Sequence, residues 1–298
     1  MKSMIVELLR TIAATVVLTV LGAAQTSPEK PARTELPVAP KVALQLPFQP
    51  GETLVYEVSF SKLVFSGVVG DIKISVLNPT GPESSSIELK AEAVSRGFFP
   101  SLLGVKVKDT YLSTVSAADF GLHSFKRSIQ EGKVRREQTA TIDRKNARVI
   151  YTDRNVADPK SQPRVKESPS PAWVQDMLSA IYFVRTQKLN QGDVIAIPIS
   201  DGGDLYNIEV LVGKREELKL ALGRFKTVQV EAKVFDGRFI KRSGEMLVWL
   251  SDDAKRLITR VRIKTSGATV IADLKRIGQD GASPEKTPGG SRPGSSRN

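Results

Sequence analysis

The chain of 298 residues contains no cysteine, and its only histidine is His123. The first absence removes disulfides, thiol nucleophiles and cysteine-bearing zinc sites, together with the thiol through which a bacterial lipoprotein is lipidated. The second leaves a single imidazole for acid-base chemistry. It lies in "FGLHSF", which reads as a turn entering a strand with no nucleophile elbow beside it, so a Ser-His-Asp triad is not expected. Aromatic residues make up only 6% of the chain. Long apolar runs are also missing: the uncharged stretch from Thr11 to Leu21 falls well short of the roughly 20 residues that cross a bilayer as a helix.

What is present fits one large or two small globular domains, with 40% hydrophobic and 26% charged residues. Residues 1–24 combine the basic Lys2 and Arg10, the apolar run and the small residues Gly22, Ala23 and Ala24. That layout predicts a secretory signal removed near Ala24, and hence a periplasmic or secreted protein with no transmembrane helix in its mature form. Residues 25–47 read as a proline-rich linker, 48–277 as a β-rich domain and 278–298 as a disordered tail.

Within the body, apolar residues recur with period two. "GETLVYEVSF" places Leu54, Tyr56, Val58 and Phe60 on one face, and "GDIKISVL" does the same with Ile72, Ile74 and Val76. Further segments of this kind follow up to "HSFKRSIQ" and "RREQTATID", and a second series runs from "DVIAIPIS" to "ATVIADLK". The joins "DGGD", "LGRF", "FDGRF" and "SDDAK" are too short for parallel crossovers, so the sheet should be antiparallel. One segment departs from this period. Ser170 as N-cap, Pro171 after it and an apolar stripe at Trp173, Met177, Ile181 and Val184 predict an amphipathic helix over about 171–188. The expected fold is mostly β, a strongly curved antiparallel sheet or open barrel with that helix packed on it; two similar halves in one long sheet is the alternative.

The net charge of +12 is unevenly spread. Between His123 and Lys166 stand twelve basic residues and five acidic ones. Arg127, Lys133, Arg135, Arg136, Arg144 and Lys145 are therefore candidate contacts for an anionic envelope surface, although a solvated strand face explains them equally well. Nucleic acid is not expected, because the only aromatics in this stretch are Phe125 and Tyr151 and base stacking needs more. "SDGGDLY" suits a hairpin better than a calcium loop, since it offers two carboxylates. Asp252 and Asp253 are neighbours, which on extended chain point apart, so a turn is expected with Asp252 bonding the backbone ahead of it. No catalytic residue, metal site or cofactor is predicted. The apolar loop "GFFPSLLG" offers Phe98, Phe99, Leu102 and Leu103, and with Trp173 and Trp249 these are the candidate ligand-binding residues.

Five blocks, "FQPGETLVYEVSF", "MLSAIYFVRTQKLNQGD", "PISDGGDLYNIEVLV", "LGRFKTVQVEAKV" and "LVWLSDDAKRLITRVRIKTSGATVIADL", resemble the bacterial envelope family known as domain of unknown function 3108 over about residues 48–274. The resemblance implies export, an antiparallel β fold and no established catalysis. The leading expectation is a non-enzymatic protein that binds or carries an apolar or amphiphilic envelope molecule such as a lipid, in an apolar cavity. The alternative is a scaffolding protein that docks an anionic polymer, lipid surface or protein partner through its basic segment. A third reading, hydrolysis by carboxylates among Glu52, Asp109, Asp252 and Asp253, requires two of them to face each other.

Overall fold

Alternating β-branched and aromatic side chains produce long strands that each bury one face, and here the strands join a single sheet. The computed structural model describes residues 46–62, 65–77, 85–97, 106–241 and 243–279. The expected signal, nearly all of the linker, the tail beyond 279 and the loop holding Phe98, Phe99, Leu102 and Leu103 lie outside them. The first half of the body forms β1 (Glu52–Lys62), β2 (Phe65–Val76), β3 (Ser86–Ser95), β4 (Lys108–Ser116), β5 (Leu122–Glu131), β6 (Val134–Asp143), β7 (Arg148–Asn155) and β8 (Arg164–Pro169). A nine-residue helix, α1 (Met177–Arg185), follows. The second half forms β9 (Val194–Asp201), β10 (Asp204–Leu220), β11 (Gly223–Ala232), β12 (Gly244–Ser251), β13 (Ile258–Thr265) and β14 (Ala268–Gln279).

The strand order is β8-β7-β6-β5-β4-β3-β2-β1-β14-β13-β12-β11-β10-β9, and each neighbouring pair is antiparallel. The two strand series thus meet through β1 and β14, where Val58 stands opposite Ala272 and Phe60 opposite Val270. The chain winds out from the middle of the sheet to β8, passes through α1, and returns from β9 at the other edge. Curvature brings these edges together without a ladder between them. Lys166 of β8 pairs with Asp204 at the β9–β10 turn, and Ser168 Oγ donates to the Gly203 carbonyl. That turn has φ of +59° at Gly202 and +77° at Gly203, the positive pair that a two-residue hairpin needs.

The segment ahead of α1 fills the rest of the seam. Gln175 bridges in parallel to Ile199 of β9, with Gln175 N donating to Pro198 O and Ser200 N to Gln175 O. On the other side Leu122 N donates to Val174 O. A Cβ at Gly121 would come within 2.7 Å of the Ala172 carbonyl oxygen, so glycine lets the segment press against the β4–β5 turn. These bonds explain why the helix starts later than Ser170: the Val174 carbonyl and both backbone groups of Gln175 are spent on β5 and β9, not on a first helical turn. The N-cap is Asp176, which accepts from Ser179 N while Ser179 Oγ accepts from Asp176 N. Strands β7 and β8 lie between "RREQTATID" and the helix, in a stretch not counted among the period-two segments. Val165 is the only aliphatic residue of β8, and it is exposed, so the edge strand carries no period-two signal.

Candidate ligand cavity

Helix α1 lies on the concave face of the sheet and is apolar nearly all round, as a buried helix must be. Its two sides meet different surroundings. On one side Tyr182 and Phe183 join Phe48, Phe120 and Trp173 in an aromatic cluster, with ring centroids 5.0 to 6.2 Å apart. Arg185 closes this side. It donates to Glu52 Oε1 at 2.6 Å and Oε2 at 3.0 Å and to the Lys255 carbonyl at 3.0 Å, and its guanidinium lies over Phe48 and Tyr182. Burial works against its charge, but Glu52 outweighs it and the pKa stands above the ordinary arginine value.

On the other side the packing is incomplete. Met177, Ala180, Ile181 and Val184 face a partly enclosed cavity of about 180 Å³. Both halves of the sheet supply its wall, from Ile72 and Ile74 of β2 to Ile197 and Ile199 of β9 and Val248 and Leu250 of β12. The lining is otherwise apolar apart from Tyr56, whose hydroxyl donates to the Ile258 carbonyl at 2.9 Å, and its only charged groups stand together at one end, where Arg127 and Asp176 lie beside Tyr111.

That polar end fastens the seam. Arg127 Nη1 donates to Asp201 Oδ1 at 2.5 Å, and its guanidinium carbon lies 4.4 Å from the Phe125 ring centroid. Burial disfavours its charge, yet Asp201 and then Asp176 more than compensate, and the pKa is raised. Asp176 Oδ2 accepts from Ser113 Oγ at 2.5 Å. Burial pushes the Tyr111 phenol well above its usual pKa, so it stays neutral. Behind Tyr111 on the same strand, Asp109 accepts from Gln130 N at 2.8 Å beside the buried Glu131. Burial raises the Asp109 pKa against the opposing pull of those two neighbours.

Several expected site residues fall elsewhere. Trp249 sits between Val248 and Leu250, so the period of two turns it to the opposite face of β12. There its Nε1 donates to Glu216 Oε1 at 2.7 Å and Arg262 lies over its ring. Trp173 packs on Phe183 and is not among the cavity-lining residues. Arg127 was expected on the surface and is instead 4% exposed, because its strand position faces the interior between Phe125 and Ile129. The other basic candidates do not form one patch. Lys133, Arg135 and Arg136 stand at the start of β6 and Arg144 and Lys145 just past its end, so the ten-residue strand sets them about 30 Å apart. Arg136 is held by Asp153 and Arg144 by Asp119. Tyr111, Asp176 and Asp201 were not singled out as site residues; only the alternation of Tyr111 with Asp109 and Ser113 in "KDTYLSTV" marks that polar inner face.

Each of the four candidate hydrolytic carboxylates is engaged. Glu52 holds Arg185, Asp109 adjoins Glu131, and Asp252 accepts from Arg215 and Arg256. Asp253, not Asp252, shapes the turn by accepting from Ser251 Oγ, Lys255 N and Arg256 N.

A model of the family described as protein of unknown function DUF3108 matches residues 55–275. The chain belongs to this family. The match begins within β1 and ends within β14, so the DUF3108 unit coincides with the sheet and its enclosed helix. No curated protein matches the chain. Among solved structures, it is similar to a β-barrel-like protein of domain of unknown function DUF1849 from Brucella abortus. The identity is 10% and the TM-score 0.51, over 80% of this chain and 99% of that one. A protein of Bacteroides fragilis with a YmcC-like fold aligns over 78% of this chain and 98% of its own at 10% identity, with a TM-score of 0.34. The first likeness shows a shared β-barrel-like fold. Among the described residues, no helix is long and apolar enough to cross a membrane.

Proposed function

We propose that this DUF3108 protein is an exported, non-enzymatic binding protein that holds the apolar part of an amphiphilic envelope molecule between α1 and the sheet. One observation carries the reading: a cavity of about 180 Å³, lined almost wholly by apolar side chains from both halves of the sheet and charged at a single end. Apolar pockets with a few convergent polar groups are the usual form of a small-molecule site. An engineered apolar cavity of about 150 Å³ takes up benzene. A space of this order suits one short hydrocarbon chain and is too small for both chains of a phospholipid. The signal-like residues 1–24 support export.

The test is saturable binding of 1-aminoanthracene followed by fluorescence, with Ala180→Leu on the helix and Ala272→Leu on β14 as variants that fill the space. Both alanines line the cavity. Wild-type protein should bind one probe per chain, and each leucine should weaken binding at least tenfold while thermal unfolding stays cooperative. Absence of saturable binding, or equal binding by both folded variants, would remove the proposal.

A further inference from the structure

We infer that the polar group of the bound amphiphile is a protonated amine and not a carboxylate or phosphate. This rests on the binding reading above and narrows its ligand class. The cavity places one cation, Arg127, and one carboxylate, Asp176, on its lining. Arg127 is already matched by Asp201, to which it donates directly, and stacks over Phe125. Asp176 shares the field of this guanidinium but takes no hydrogen bond from it. Its hydrogen-bond donors are Ser179 N and Ser113 Oγ, neutral groups that orient the carboxylate without cancelling its charge. Each carboxylate oxygen has two acceptor sites, so capacity remains on the cavity side.

The groups around this end reinforce the sign. Beyond Tyr111 on β4 and β5 lie Asp109 and Glu131, both buried. At the margin, Arg136 with Asp153 and Lys166 with Asp204 form two internally neutral pairs. The buried set is thus one arginine against Asp176, Asp201 and the adjoining Asp109 and Glu131, and even with the Asp109 proton retained the acids outnumber it. Gln138, opposite Arg127 in the β5–β6 register and 5% exposed, lies behind the lining and has the same sign. Its Oε1 is a buried acceptor with no hydrogen-bond partner among the described residues. Acceptor oxygens in excess call for a donor, and an anion entering here would be desolvated beside a carboxylate whose neighbouring guanidinium is already taken.

The experiment displaces bound 1-aminoanthracene with octylamine, octanol and octanoate, three ligands with the same chain length, at pH 7 and moderate salt. Octylamine should displace the probe at a concentration at least tenfold below that of octanoate, with octanol between them. The net charge of +12 favours octanoate at the protein surface, so this order runs against non-specific attraction. In Asp176→Asn, which keeps an acceptor for the Ser179 amide, the advantage of octylamine over octanol should shrink to about twofold. Octanoate equal to or better than octylamine overturns the inference, as does an unchanged amine preference in the folded variant. If the variant does not fold, the wild-type order of the three ligands decides alone. Binding of all three with equal strength overturns the amine while leaving the cavity reading intact; displacement by none defeats the cavity reading itself.

Discussion

The two sides of α1 are built from the same nine residues yet end in opposite kinds of packing. Towards Phe48, Phe120 and Trp173, planar rings interlock at centroid distances near 6 Å, and a buried arginine ties the helix to β1 and the β12–β13 turn. Towards the sheet interior, short aliphatic chains and alanines line a wall that does not close, and a cavity remains. Rigid rings fill a corner because each covers a large area in few orientations. Side chains such as Ala91, Ala180, Ala232 and Ala272 are too short to meet across a wide sheet. The helix is therefore anchored on one side and left free to contact something else on the other.

Breaking the anchored side should cost most. Arg185→Met leaves Glu52 without its cation and should destabilise the protein by about 3–5 kcal/mol, read from urea unfolding. A loss below about 1 kcal/mol would mean that the Glu52 pair adds little to the anchor. The next contrast is between opposite faces of one helical turn. Phe183→Ala, on the aromatic side, should cost about 3 kcal/mol or more. Ile181→Ala, which enlarges a space already empty, should cost about 1–2 kcal/mol and keep probe binding. Equal losses at the two sites would erase the distinction between the faces.

The smallest effect concerns the polar end. Asp109 has its pKa raised in the folded state by burial, so the native protein holds this proton more tightly than the unfolded chain does. Its stabilising effect is complete below the ordinary carboxylate pKa and is lost as pH rises from there through the folded value. Asp109→Asn keeps an acceptor for the Gln130 amide and removes the titration. Melting curves should show the variant gaining on wild type by a few degrees between pH 4 and pH 7, with the difference growing as pH rises. A gap that stays constant, or narrows, would show that burial does not hold the proton there.

Strand positions were legible wherever one face was apolar. Leu54, Tyr56 and Val58, and likewise Val248 and Leu250, point inward as their alternation requires. Strand β8 was not legible, because an edge strand at a seam has little apolar surface to bury and its composition matches that of a loop. Helix α1 was recognisable by its stripe, but its start was not, since Ser170 and Pro171 have the chemistry of a cap and only the bonds from Val174 and Gln175 to β5 and β9 exclude it. The site was hardest of all. Arg127 looked like one more surface cation in a basic run, and nothing local says that its partner is Asp201, 74 residues away.

Alternation of side chains, short polar turns and the absence of cysteine determined by themselves that this chain builds an antiparallel sheet held by an apolar core. Those features act between near neighbours, where geometry is fixed by the period of the backbone. The tertiary structure alone decided that the two strand series share one sheet and that its edges meet across α1. It also decided that a basic residue and four scattered acids gather at one end of an unfilled apolar space. Such outcomes depend on curvature summed over fourteen strands and on charges brought together from distant parts of the chain, quantities that no local pattern of residues records.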